Sequence, residues 1–140
     1  MIAITARIGH LGIEVSDVAA SRKFYDALLG SLGFRLIGES ERHAGYSDGS
    51  TQVWIAESAP RRVLRLPPSG EEEVVSEHIA FLVGDRGSVD RVSSVMERKG
   101  FSPLFPPEAH PEFSEGYYAA SFEDPDHCVI EIYTVGTKKG

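Results

Sequence analysis

Residues 8–17 read Ile-Gly-His-Leu-Gly-Ile-Glu-Val-Ser-Asp. Within this stretch Leu11, Ile13 and Val15 alternate with polar or small residues, the period-two pattern of a strand with one buried face. Asp17 is a good N-cap, because its carboxylate can accept from the backbone N–H groups of a first helical turn. The stretch therefore predicts a strand that leads directly into a helix.

The pattern of strand and helix starts again at His78. The two histidines, His10 and His78, are 78 − 10 = 68 residues apart, and the phenylalanines that follow the two predicted helices, Phe34 and Phe101, are 101 − 34 = 67 residues apart. We predict the helices over 18–30 and from 85–88 to about 99, from their apolar residues at helical spacing. This agreement favours two similar halves; an α+β domain without duplication is the alternative.

The remaining segments complete the two halves. Alternating apolar residues predict further strands at 34–37, 44–47, 51–57, 117–122 and 128–134, whereas 102–116, rich in Pro, Glu and His, is predicted to be a loop. The fold expected is α+β, one domain over residues 1–140 with two tandem βαβββ modules. Module one covers about 5–58, a Pro- and Glu-rich linker about 59–75, and module two about 76–136.

Composition excludes several classes of function. The formal charge is −7 and no large cluster of Lys and Arg exists, which disfavours nucleic acid as a partner. No apolar run approaches the ~20 residues of a membrane helix, and no secretory signal is evident, so a cytoplasmic protein is expected. Cys128 is the only cysteine, which excludes an internal disulfide and a multi-cysteine metal site.

Several motifs together resemble the vicinal-oxygen-chelate superfamily, which includes glyoxalases, bleomycin-resistance proteins and extradiol dioxygenases. The likeness covers nearly the whole chain. It implies that each module curls its sheet into an open half-barrel with a cavity on the concave face. His127 departs from the closing motif, where glycine is usual. The motifs are the opening one at 8–17 and 21–25, the second-module start at 77–81, the closing one at 123–126 with 130–131, and those of a small bacterial glyoxalase-like subgroup at 45–49, 53–57, 110–111 and 116–120.

The resemblance implies that His10, His78 and Glu131 are metal ligands. Strand alternation supports this, because the apolar neighbours of each residue have the opposite parity and would pack beneath a helix. Two imidazoles and a carboxylate suit divalent iron, manganese, nickel or zinc, and such a metal acts as a Lewis acid.

One position departs from the family pattern. Trp54 stands where the family usually has a fourth ligand, a glutamate, and an indole N–H is only a donor. Gln52 shares its face, whereas Glu57 has the opposite parity and should point away. We expect Trp54, Gln52 and Phe113 to line the cavity. The missing ligand counts against glyoxalase I activity.

Three residues are candidates for acid, base or oxyanion-donor roles: His110, Tyr117 and Tyr118. The structural alternative is that one tyrosine is packed and the other exposed, because strand neighbours face opposite ways, and that His110 is a loop residue.

Three functions remain open from the sequence. The first is a metal-dependent lyase, transferase or dioxygenase acting on a small oxygen-containing molecule. The second is a metal-free binding protein for a small molecule, and the third is a subunit with a vestigial cavity. The resemblance also implies a homodimer, in which the three metal ligands come from one chain or from two.

Overall fold

The computed structural model describes residues 3–57 and 78–136. The chain divides into two compact units, 1–59 and 60–140. The predicted linker at 59–75 lies outside the described residues. Module one contains β1 (His10–Val15), α1 (Val18–Ser31), β2 (Arg35–Glu39), β3 (His43–Ser47) and β4 (Gln52–Glu57). Module two contains β5 (His78–Leu82), α2 (Arg86–Arg98), β6 (Phe105–Ala109), β7 (Tyr118–Glu123) and β8 (Val129–Thr134).

The two modules have the same topology. Each has one four-stranded sheet, in the order β1-β4-β3-β2 and β5-β8-β7-β6. In each the first strand pairs in parallel with the last, and the other neighbours are antiparallel. The predicted α+β fold of tandem βαβββ modules is confirmed, and each sheet stays open.

Each helix covers one face of its own sheet. In module one Phe24 and Leu28 of α1 are fully buried together with Ile55 of β4. In module two Met96 of α2 and Ile132 of β8 are buried in the same way. Burying such a side chain contributes roughly 1.5–3 kcal/mol, so these contacts fix which face of each sheet turns to its helix. The opposite face of each sheet is not covered by its own helix.

The helices begin in the same way in both modules. The carboxylate of Asp17 accepts from the backbone N–H of Ala20 at 3.1 Å, and that of Asp85 accepts from the backbone N–H of Ser88 at 2.8 Å. The hydroxyl and N–H of Ser88 lower the pKa of Asp85. The predicted cap at Asp17 is therefore confirmed.

Strand β6 was missed by the sequence analysis. The loop predicted over 102–116 was wrong at Phe105–Ala109, which pairs with β7 at the edge of the sheet. Its register shifts between Phe105 and Glu108, where Pro106 and Pro107 lie. Proline cannot donate to a ladder, and it is tolerated at edges and bulges. The prolines therefore mark an irregular edge strand.

The turn between β7 and β8 is built around Asp124. Its carboxylate accepts from the backbone N–H groups of Asp126 at 2.8 Å and Cys128 at 2.9 Å. His127 has φ of 71°, the left-handed region in which glycine is favoured. Among the described residues, neither helix has the length and apolar character needed to cross a membrane.

Candidate functional site

Module two has a cavity on the sheet face that points away from α2. Its volume is about 500 Å³, within the usual range for small-molecule sites. On β8 the buried Ile130 and Ile132 face the helix, and Glu131 between them faces the cavity. The side chains that matter for its chemistry are His78, His110, Glu112, Phe113, Tyr117 and Glu131.

His78 and Glu131 come together on one wall of this cavity. Strands β5 and β8 are parallel and in register, so that His78 pairs with Val129 and Ala80 pairs with Glu131. The two side chains are thus on the same face, one repeat apart, and His78 Nε2 lies 3.8 Å from Glu131 Oε1. The side chain of Glu131 is 16% exposed and that of His78 is 50% exposed. An imidazole at the cavity mouth therefore faces a more deeply placed carboxylate.

Tyr117 holds the second oxygen of this carboxylate. Its hydroxyl donates to Glu131 Oε2 at 2.6 Å, and its ring stacks on Tyr133 with centroids 4.9 Å apart and planes 19° apart. Burial and then the hydrogen bond to Glu131 raise the pKa of Tyr117 well above its ordinary value. At neutral pH Tyr117 is consequently a proton-bearing donor.

An aromatic wall continues from Tyr117. Phe113 stacks on the His110 ring at 5.2 Å and meets the Tyr117 ring edge-on at 5.2 Å. Nδ1 of His110 lies 3.0 Å from a carboxylate oxygen of Glu112, and Nε2 lies 3.8 Å from one of Glu108. The pKa of Glu112 is lowered, first by its own backbone N–H and then by His110. The wall thus joins flat apolar surface to an ionised carboxylate.

Tyr118 is on the other side of the sheet. Its hydroxyl donates to Asp90 of α2 at 2.8 Å, and the guanidinium of Arg86 lies 4.7 Å from its ring centroid. It does not line the cavity, unlike its neighbour Tyr117. Strand alternation accounts for this separation of the two predicted tyrosines.

In module one, the corresponding sheet face carries His10, Gln52 and Trp54. His10 is exposed and pairs with Gln52, while Trp54 pairs with Gly12 on one side and Gly45 on the other. The indole N–H of Trp54 donates to Gln52 Oε1 at 2.8 Å. A Cβ on Gly45 would lie 2.4 Å from Trp54 Cζ3, so the indole lies directly on the backbone of β3.

Glu57 points away from this face, as its parity predicts. Its carboxylate accepts from the backbone N–H of Val18, at the start of α1, at 2.9 Å. An anionic side chain is stabilised there by the unpaired N–H groups of the first turn. Glu57 therefore contributes to the helix rather than to the face that carries His10.

Comparison with known proteins identifies the family. The sequence profile of the Glyoxalase/Bleomycin resistance protein/Dioxygenase superfamily matches residues 7–132. The chain belongs to this superfamily. It is 27% identical over 125 residues to the protein YqjT of Bacillus subtilis (strain 168), covering 88% of this chain and 94% of that one.

Solved structures of the superfamily have the same fold. A glyoxalase-type protein of Bacillus halodurans is 26% identical with a TM-score of 0.70, covering 91% of this chain and 94% of that one. Lactoylglutathione lyase from Agrobacterium tumefaciens has a TM-score of 0.67 at 16% identity, covering 93% and 94%. At 16% identity, the likeness to the Agrobacterium tumefaciens enzyme shows the fold alone.

Divalent metals are common in this superfamily, so the residues present were tested for their fit to one. Within residues 3–57 and 78–136, no three His, Cys, Asp or Glu side chains form a group that could hold a metal ion. Two donors do fit. A metal with bonds of ~2.1 Å would hold two ligands roughly 3.0–3.4 Å apart, and His78 Nε2 and Glu131 Oε1 are 3.8 Å apart. The observed separation is therefore slightly wider than a shared metal requires.

The sequence did not point to two residues at or beside this cavity. Tyr133 supports Tyr117, and Glu112 places a second carboxylate on the cavity. Tyr133 could have been found, because it shares the parity of Glu131 on a predicted strand. Glu112 lies in a turn after β6, where no periodicity indicates which way a side chain points.

Proposed function

We propose that this superfamily member is a metal-dependent enzyme that acts on a small oxygen-containing molecule in the cavity of module two. The observation that carries the proposal is the pairing of His78 and Glu131 on one cavity wall, at 3.8 Å. We propose these two residues as ligands of divalent iron, manganese, nickel or zinc, with His10 as the third ligand. His10 would be supplied by the same chain or by a second copy in a homodimer. A cytoplasmic location also stays a prediction.

The metal, when bound, would supply Lewis-acid stabilisation of negative charge on a substrate oxygen. The chain's own residues would orient the Glu131 carboxylate and enclose the substrate. Tyr117 keeps its proton and fixes Glu131 through Oε2, which leaves Oε1 toward His78. In this proposal Tyr117 is a donor rather than a base, and Tyr118 has no part because it contacts α2.

The aromatic wall would bind the flat or apolar part of the substrate. His110 contributes the face of its ring to this wall, because Phe113 stacks on that ring and Glu112 is hydrogen-bonded to its Nδ1. Aromatic contacts of this kind contribute about 0.5–1.5 kcal/mol each beyond the area that they bury. Trp54 in the fourth-ligand position argues against lactoylglutathione lyase activity, whatever the fold shared with that enzyme.

The first test is metal content per chain, measured by plasma mass spectrometry after anaerobic loading with each of the four metals. We expect about one metal ion per folded chain, lost in His78→Ala and in Glu131→Gln. His127→Ala is the matched control, because its imidazole is 81% exposed and lies in a turn outside the cavity. Absence of metal from the wild type, or equal loss in the His127→Ala control, would reject the metalloenzyme proposal.

A metal-free binding protein is the second candidate. One observation favours it: Trp54 stands where the family usually has a fourth ligand, and its indole N–H donates to Gln52 Oε1 at 2.8 Å. Under this alternative, ligands should raise the melting temperature of protein treated with a chelator, because a ligand that binds only the native state stabilises it. A ligand-induced shift that requires metal would favour the enzyme instead.

A further inference from the structure

The charges on the cavity wall have one sign. Apart from its histidines, the cavity is lined by two ionisable side chains among the described residues, the carboxylates of Glu112 and Glu131. None of these lining residues is Lys or Arg. The described lining residues therefore offer no Lys or Arg to an anionic ligand.

The same wall presents aromatic surface to water. Phe113 is 62% exposed and Phe105 is 56% exposed, although both line the cavity. The Phe113 and Tyr117 rings meet at 83°, so that their planes are nearly perpendicular. Exposed apolar surface of this kind, next to a few polar groups, is typical of a site for a planar ligand.

We propose that this cavity, in the metal-free protein, binds an aromatic molecule without negative charge, and that it binds an amine in preference to a carboxylate on the same ring. The inference rests on the proposed function for the position of the ligand in this cavity, and it is independent of any metal. A cation gains attraction from Glu112 and from the faces of the aromatic rings. A carboxylate on the same ring would be placed beside like charge and would lose its hydration without a cationic partner.

The test compares three naphthalenes that differ in one group: 1-naphthylmethylamine, 1-naphthylmethanol and 1-naphthoate. Their dissociation constants are measured with chelator-treated wild-type protein by titration of nuclear magnetic resonance shifts. We expect the amine to bind about tenfold more tightly than the carboxylate, with the alcohol between them.

Three variants locate the effect. Glu112→Gln should reduce the ratio between amine and carboxylate about threefold, the size of one partly exposed charge interaction. Glu108→Gln is the matched control, since this carboxylate also contacts His110 but does not line the cavity. Phe113→Ala should weaken all three ligands about fivefold and leave their ratio unchanged.

Three results would overturn the inference. They are equal or tighter binding of the carboxylate, no binding of any of the three compounds, and binding that Phe113→Ala leaves unchanged. The metal measurement separates this inference from the proposed function. Amine preference in a protein that never takes up metal rejects the enzyme and keeps the ligand class, whereas metal binding without amine preference does the reverse.

Discussion

The two modules place different side chains at one equivalent position. His10 pairs with Gln52 and His78 pairs with Val129, and two residues further along the last strand lie Trp54 in module one and Glu131 in module two. The helix caps, the strand order and the glycines after the helices match. The scaffold is therefore repeated while the sheet face has diverged.

The neighbouring strand shows how each face accommodates its residue. Trp54 lies opposite Gly45, and Glu131 lies opposite Ser121. In module one a glycine lets the indole lie on the backbone. In module two a small side chain and the Tyr117 hydroxyl leave the carboxylate facing a cavity. A face with a cavity and a face covered by an indole are thus built on one scaffold by exchanging a few residues.

The largest effect is expected on metal binding, at the position that is Trp54 in module one and Glu131 in module two. Glu131→Gln should weaken metal affinity by about 100-fold or more, because the amide has lost the anionic oxygen that a divalent cation prefers. Trp54→Gln is the matched change in module one and should leave the affinity within about twofold, because an indole is no ligand. Competition with a chromophoric chelator measures both. A larger loss in Trp54→Gln would reverse the roles given to the two modules.

The next largest effect is expected on stability, where Trp54 contacts the backbone of β3. Gly45→Ala should lower the free energy of unfolding by about 2 kcal/mol, because the new methyl overlaps the indole. Gly12→Ala, on the other side of Trp54, has no atom within 4 Å of the added Cβ and should cost less. Urea unfolding measures both. In a Trp54→Ala background the cost at Gly45 should fall, and an unchanged cost would place the strain elsewhere.

A smaller change is expected from the two adjacent tyrosines of module two. Tyr117→Phe and Tyr118→Phe each remove one hydroxyl hydrogen bond, and each should cost about 1 kcal/mol of stability. Metal affinity should fall about tenfold in Tyr117→Phe alone, because that hydroxyl orients Glu131. The cobalt(II) absorption spectrum should also change in that variant, as the freed Oε2 alters the coordination. Equal metal affinity in both variants would make Tyr117 structural only.

The smallest effect concerns the turns before the last strands. Module one uses Gly49 at φ of 96°, whereas module two has His127 at φ of 71°. His127→Gly should raise the free energy of unfolding by about 0.5–1 kcal/mol, and Gly49→Ala should lower it by about 1 kcal/mol. Thermal unfolding measures the shifts. Destabilisation by His127→Gly would mean that the imidazole makes a contact worth more than the backbone strain.

Much of the fold could be predicted because its signals are local. Alternation placed β1, β4, β5 and β8 correctly, and it put Tyr117 and Tyr118 on opposite faces. The segment that became β6 could not be read, since its pairing depends on a neighbouring edge that the prolines do not reveal. The position of Glu112 beside the cavity was hidden because this residue lies in a turn, where no periodicity indicates the direction of a side chain.

By itself, the sequence determined the duplication and the parity of the residues on most strands, because caps, periodicity and repeat spacing are encoded over a few residues. Its motifs resembled those of the family. Only the tertiary structure decided that His78, Glu131 and the Tyr117 hydroxyl meet on one wall, and that Trp54 lies on Gly45. Those contacts join segments far apart in the chain. Their distances depend on strand register and on side-chain rotamers, which packing selects and which no local pattern specifies.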